Sequence, residues 1–258
     1  MLHVHEWGVA ASPPVVCLHG VTGHGARFRS LAEDRLASRF HVLSLDLLGH
    51  GRSDPEPPWS ISAHLDAIEA TLDRRGVGPA RWIGHSFGGR LTMELLARSP
   101  ARFERVVLLD PAIWVPPPVA LERAEDERHE RAYESHEHAV AFRLSKGELL
   151  EHAHEHVARD YLDHLAEHED GLLRPRYVQS AVVTAFSEMA APPPDFALLA
   201  VPTLVIRGER SNVTADPLIE LYRQGIGALL EVVDVPGYHS PFWDAFDETA
   251  DAIERFLA

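Results

Sequence analysis

The stretch Gly84-His85-Ser86-Phe87-Gly88-Gly89 fits G-x-S-x-G, follows an apolar strand-like run from Ala80 to Ile83, and opens a helical pattern from Arg90 to Ala97. A turn this tight between strand and helix forces its central residue into strained backbone angles, and the flanking glycines remove side chains that would clash there. Ser86 Oγ then stands at the carboxyl edge of a sheet, above a helix N-terminus whose free N–H groups and dipole favour developing negative charge. The chemistry implied is nucleophilic attack by a serine hydroxyl.

Such a turn needs a sheet behind it, and the chain alternates strand and helix patterns in the manner of a mostly parallel sheet with crossovers. The apolar runs predict strands at Leu2 to Trp7, Pro14 to Leu18, His41 to Asp46, Ala80 to Ile83, Arg105 to Leu109, Thr203 to Arg207 and Leu230 to Val235. The spacing predicts helices at Ala26 to Ser38, Ser62 to Arg75, Phe87 to Arg98, Asp216 to Gln224 and Trp243 to Phe256. Between Asp110 and Val201 no strand is expected. Glu-, His- and Leu-rich helical runs fill that region, bracketed by Pro116-Pro117-Pro118 and Pro192-Pro193-Pro194. Proline triplets favour extended chain, so they read as stiff hinges. The expected organisation is a core of residues 1–114 and 197–258 with an inserted helical cap at 115–196.

Three further stretches complete a family pattern. Val15-Val16-Cys17-Leu18-His19-Gly20-Val21-Thr22-Gly23 is a strand followed by a His-Gly turn. Asp46-Leu47-Leu48-Gly49-His50-Gly51-Arg52-Ser53-Asp54 reads D-x-x-G-x-G-x-S-D. Val232-Val233-Asp234-Val235-Pro236-Gly237-Tyr238-His239 is a late strand and its loop. With Ser86 between them, these four motifs resemble the α/β-hydrolase fold superfamily, in particular its serine-nucleophile carboxylesterases and lipases with a helical cap. The resemblance implies an α/β fold with a mostly parallel central sheet flanked by helices. It implies Ser86 as nucleophile, His239 as the base, and the backbone N–H groups of Val21 and Phe87 as an oxyanion hole. It gives His19, His50 and His85 a structural role.

The acid of the implied triad departs from the commoner family pattern. The loop after the penultimate strand reads Arg207-Gly208-Glu209-Arg210-Ser211-Asn212-Val213-Thr214-Ala215-Asp216, with Ser211 or Asn212 where the carboxylate usually falls. The family's alternative position lies after the strand that follows the nucleophile helix, and Asp110 is the carboxylate there. Asp110 is the expected acid, with Glu209, Asp216 or no acid at all as the alternatives.

At 258 residues, with 45% hydrophobic and 24% charged residues, the chain suits one core with a small lid. A formal net charge of −15 repels phosphate backbones and anionic membrane surfaces, so neither nucleic acid nor membrane is an expected partner. The N-terminus lacks a basic segment followed by an apolar one, and a cytoplasmic location is expected. Cys17, the single cysteine, reads as a buried small hydrophobe.

Between Ala120 and Gly171 there are fifteen Asp and Glu against six Lys and Arg, so most of the net charge falls on the insertion. His152 and His156, and His164 and His168, have metal-compatible i,i+4 spacing. Their neighbours read as a solvated face, without H-E-x-x-H, so no metal or cofactor is expected. Histidines crowded on an acidic lid would also suit pH sensing.

A serine nucleophile excludes the aspartate-based dehalogenase and epoxide-hydrolase chemistries of the family. Trp114, Phe142, Tyr161, Tyr177, Phe186 and Met189 are the candidate walls of an apolar acyl pocket. The expected activity is hydrolysis of small to medium apolar esters or lactones through an acyl-enzyme. The alternatives are cofactor-free perhydrolysis, carbon–carbon bond hydrolysis on the same triad, and a weakly catalytic small-molecule receptor.

Overall fold

Val15, Val16, Cys17 and Leu18 leave no polar side chain to face water, so a strand built from them must be covered on both faces. In the computed structural model, which describes residues 1–258, that strand lies in the middle of a sheet buried on both sides. The strands are β1 (Val4–Trp7), β2 (Pro14–Leu18), β3 (His41–Leu45), β4 (Ala80–His85), β5 (Phe103–Leu109), β6 (Leu165–Glu167), β7 (Leu173–Pro175), β8 (Thr203–Gly208) and β9 (Leu230–Val235). The helices are α1 (Arg29–Leu31), α2 (Ile61–Arg74), α3 (Phe87–Arg98), α4 (Pro117–Glu127), α5 (His136–Ser145), α6 (His154–His164), α7 (Gln179–Met189), α8 (Asp216–Ile226), α9 (Pro241–Asp244) and α10 (Phe246–Leu257).

Seven strands form one sheet in the order β1-β3-β2-β4-β5-β8-β9. All neighbours are parallel except β1, which runs antiparallel to β3 at the edge. Successive side chains point to opposite faces of a strand, and the core divides accordingly. Val16, Leu18, Trp82, Val106 and Leu108 join one apolar layer with Phe87 and Leu91 of α3. Val15, Cys17, Ile83, Val107 and Leu109 join the other with Phe28, Trp243 and Ile253. The amphipathic α10 presents Ala250, Ile253 and Leu257 to this second layer at helical spacing.

Three expectations need correction. The segment between β5 and β8 contains a strand pair, the antiparallel β6 and β7, besides its four helices. The first proline bracket begins a helix: Pro117 and Pro118 occupy the first turn of α4, where a missing N–H costs nothing because that donor has no intrahelical acceptor. The helix expected over Trp243 to Phe256 is two helices, divided at Ala245, whose φ of −142° and ψ of 64° are not helical. No helix is long and apolar enough to cross a membrane.

Candidate active site

Ser86 and Asp110 are the two non-glycine residues of the chain with positive φ, at 54° and 40°. They terminate the neighbouring strands β4 and β5, and main-chain hydrogen bonds tie them together. The Ser86 N–H donates to the Leu109 carbonyl at 3.1 Å, and the Ser86 carbonyl accepts from the Ala112 N–H at 3.1 Å. The Asp110 N–H donates to the Ile206 carbonyl of β8 at 2.7 Å. Conformations of this kind persist only where the surroundings over-determine them. Here three strands do so.

His239 follows β9 and completes a line of hydrogen bonds. Ser86 Oγ lies 2.9 Å from His239 Nε2, and His239 Nδ1 lies 2.5 Å from Asp110 Oδ2. A hydroxyl donating to Nε2 and an Nδ1–H donating to the carboxylate are mutually consistent in one neutral tautomer. The Asp110 side chain is fully buried while that of His239 is 32% exposed, so the line runs from the interior outward to a serine that lines a cavity. Of the other two carboxylates considered, Asp216 pairs with Arg207 at 2.7 Å and is 87% exposed. Glu209 is exposed and has no hydrogen bond to His239. Ser211, read from the sequence as unable to carry charge, donates its hydroxyl to the same Asp110 Oδ2. Its place in that loop was the available signal, but a hydroxyl that orients a carboxylate has no pattern of its own.

The Val21 turn abuts the serine. A Cβ on Gly20 would lie 3.0 Å from Ser86 Cβ, and one on Gly88 would lie 2.1 Å from the Leu18 carbonyl oxygen. Only glycines let β2, its following turn and α3 approach this closely. The Phe87 N–H belongs to the first turn of α3, where amides have no helical acceptor. The Val21 N–H donates to no other group of the chain.

Three buried histidines hold carbonyls of this frame. His19 donates through Nδ1 to the Gly20 carbonyl at 2.8 Å while its Nε2 accepts from the Leu47 N–H at 3.0 Å. His50 Nε2 donates to the Val21 carbonyl at 2.5 Å, and His85 Nε2 donates to the His239 carbonyl at 2.9 Å. Burial pushes all three imidazoles down, well down for His19 and His85. Neutral donors of fixed tautomer suit His19 and His85, whereas His50 has a carbonyl at each ring nitrogen, Leu48 at Nδ1 as well as Val21 at Nε2, and a neutral ring donates to one of them at a time. Asp46 organises the adjoining loop. Burial alone would raise its carboxyl, but the His5 hydrogen bond and the Arg52 and Gly25 N–H donors hold it below the usual range. His3, His5 and Asp46 come within metal-ligating distance of one another, yet both Asp46 oxygens already accept main-chain N–H bonds.

Ser86 and His239 open into a cavity of about 1050 Å³ between the sheet edge and the insertion. Val21 lines it, as do all six expected pocket side chains, Trp114, Phe142, Tyr161, Tyr177, Phe186 and Met189. The Phe87 side chain instead packs into the core against His64. One wall is fastened by buried charge that sequence reading placed in solvent. Asp160 of α6 accepts from His24 Nε2 at 2.9 Å and from Arg27 Nε and Nη2 at 3.2 Å each. Burial would raise the Asp160 carboxyl, and the charges of Arg27 and His24 hold it far below its usual range instead. His164 stacks on His24 at 4.8 Å, and burial pushes it well down. Of the other histidines of the i,i+4 pairs, His152 bonds to the Asp244 carbonyl, His156 stacks on Phe246 at 4.9 Å, and His168 is exposed.

A parallel sheet with a strained serine between β4 and α3 is the architecture of an α/β hydrolase. The α/β hydrolase fold family model matches residues 13–131. The chain is 43% identical to the lipase LipV of Mycobacterium tuberculosis over 112 residues, 43% of this chain and 42% of that protein. It is 30% identical to the 2-(acetamidomethylene)succinate hydrolase of Mesorhizobium japonicum over 245 residues, 92% of this chain and 84% of that one. A crystal structure of E-2-(acetamidomethylene)succinate hydrolase superposes with a TM-score of 0.87 at 24% identity, covering 99% of this chain and 94% of the other. The chain spans less than half the length of the first curated relatives it matches. It belongs to the α/β-hydrolase fold family.

Proposed function

We propose that the protein is a serine hydrolase that cleaves carboxylic esters or lactones through an acyl-enzyme. The observation that carries this reading is the line of hydrogen bonds from Ser86 Oγ through His239 to Asp110, ending on a hydroxyl that faces a large cavity. In this reading Ser86 attacks the acyl carbon while His239 takes its proton, and the imidazolium so formed is stabilised by buried Asp110. The N–H groups of Val21 and Phe87 hold the oxyanion. His239 then returns the proton to the leaving alkoxide, and a water activated by the same imidazole releases the acid. Ser211 positions Asp110 and takes no part in proton transfer.

The residues 115–196 act as the cap that walls the pocket, and Trp114, Phe142, Phe186 and Met189 give it an apolar body suited to small or medium acyl groups. Relatives named lipase and hydrolase support hydrolytic chemistry. A receptor with an unactivated serine would lack a carboxylate behind the imidazole, and Asp110 beside His239 argues against that alternative. The test is stoichiometric labelling by a fluorophosphonate, located by mass spectrometry, with turnover of p-nitrophenyl esters of increasing length. One label per chain on Ser86 is expected. A folded protein that neither labels at Ser86 nor turns over any ester would sink the reading.

A further inference from the structure

The insertion turns its charges in opposite directions. Of the six Lys and Arg between Ala120 and Gly171, four line the cavity that holds Ser86: Arg123, Arg131, Arg143 and Lys146. Only four of its fifteen Asp and Glu do so. Arg131 is answered by Glu127 at 2.5 Å. The other three cations are not matched in this way. Arg143 and Arg123 share one carboxylate, that of Glu148, at 3.5 and 3.9 Å and without a hydrogen bond from either. Lys146 has no carboxylate partner, and its Nζ lies 4.8 Å from the ring centre of Phe142.

Arg143 is the most enclosed of the three, with a side chain 19% exposed against 55% for Arg123. Burial pushes its guanidinium down despite the nearby Tyr161 and Glu148. A desolvated cation without a full set of acceptors is unfavourable, and an acceptor that arrives with a ligand offsets that cost. Tyr133, Tyr161 and Tyr177 line the same cavity. In a protein with a net charge of −15, this is a surface built to receive an anion.

We propose that the substrate carries a carboxylate besides the bond that is cleaved, anchored by Arg143 within the field of Arg123 and Lys146. This rests on the reading of Ser86 as nucleophile and deepens it, because an apolar acyl body would end in a charged group. A carboxylate fits better than a phosphate, since Asp126, Glu127, Glu130 and Glu148 line the cavity as well and would oppose a second negative charge.

The experiment compares p-nitrophenyl hexanoate with mono-p-nitrophenyl adipate, corrected for spontaneous hydrolysis, and reads the adipate-to-hexanoate ratio of kcat/KM. Arg143→Gln should lower that ratio at least about tenfold, the scale of one charge-assisted hydrogen bond, and Arg143→Lys should keep part of it. Glu148→Gln removes the competing carboxylate and should raise the ratio, a change of opposite sign that misfolding cannot imitate. An unchanged ratio in a folded Arg143→Gln protein, or a ratio that falls in Glu148→Gln, overturns the anion site while fluorophosphonate labelling of Ser86 still supports the hydrolase. Failure of Ser86 to label, with neither ester turned over, overturns both.

Discussion

The carboxyl edge of the sheet and the insertion that faces it are held in place by different forces. At the edge, Ser86 and Asp110 are fixed by main-chain hydrogen bonds across β4, β5 and β8 and by positive φ angles. The insertion shares two main-chain bonds with the loop after β3, from the Gly51 N–H to the Arg176 carbonyl and from the Val178 N–H to the Gly49 carbonyl, and leans besides on side-chain ion pairs: Asp160 with Arg27 and His24, Arg131 with Glu127, and Arg174 with Asp170 and Glu130. Main-chain ladders are indifferent to side-chain identity, whereas ion pairs are lost with one substitution. In the proposed function this would separate the groups that react from the wall that selects.

The sharpest way to break this comparison is at the edge. Ser86→Ala should lower turnover of a short-chain ester by roughly 10⁶, the scale seen when a nucleophile of this kind is removed, with no change of fold by circular dichroism. More than a few per cent of residual activity would place the chemistry elsewhere. Next in size, Asp110→Asn should cost about 10³ to 10⁴ through loss of imidazolium stabilisation and of the correct tautomer. In that background Ser211→Asp should recover part of the loss, because Ser211 Oγ already reaches the Asp110 Oδ2 position that faces His239. No recovery, with the fold intact, would mean that the loop cannot present a carboxylate to the imidazole. Ser211→Ala alone should cost less than tenfold in kcat, about one neutral hydrogen bond.

The insertion offers the complementary test. Replacing the segment from Pro117 to Ala190 by a short linker should change acyl-chain preference by more than it changes the fluorophosphonate labelling rate of Ser86. Equal preference before and after, in a folded protein, would remove the insertion from any part in selection. The smallest effect is on stability. Burial holds His19, His50, His85 and His164 down and takes His64 down to about 3. Unfolded histidines titrate near ~6.5, so between that pH and the folded values the unfolded chain binds more protons and stability falls as pH falls. Each such group contributes up to ~1.4 kcal/mol per pH unit. Melting temperatures from pH 7.5 to 5 should therefore drop, and less steeply in His64→Leu. An equal slope in that variant would show that His64 takes up its proton in the folded state as readily as in the unfolded one.

The sequence was most legible where structure is local. Strands β2 and β9 and helix α3 fall at the residues that apolar runs and spacing indicate: β2 is covered on both faces and reads as an unbroken apolar run, the edge strand β9 keeps its valines around the exposed Glu231 and Asp234, and the glycines of the Ser86 turn admit few geometries. The sheet edge brings Ser86, His239 and Asp110 together. The insertion was less legible. β6 and β7 are three residues each and lack room to show alternation. Asp160 and His164 read as a wet helix face because a charge in a sequence does not reveal its partner, and theirs lie more than a hundred residues away in the turn after β2. The inward aim of Arg143 is equally invisible, since composition counts charges and not their directions.

Cys17 sits at zero exposure in β2, between β3 and β4 and one strand away from the Ser86 turn. Burial also pushes its thiol far up, so it is unreactive in the folded state. As the single thiol of the chain, it makes the protein its own clock for opening of the central sheet. A thiol reagent can reach it only through an opening that exposes β2, and the modification rate at increasing denaturant separates such openings from the motions of the insertion, which holds no cysteine to report them.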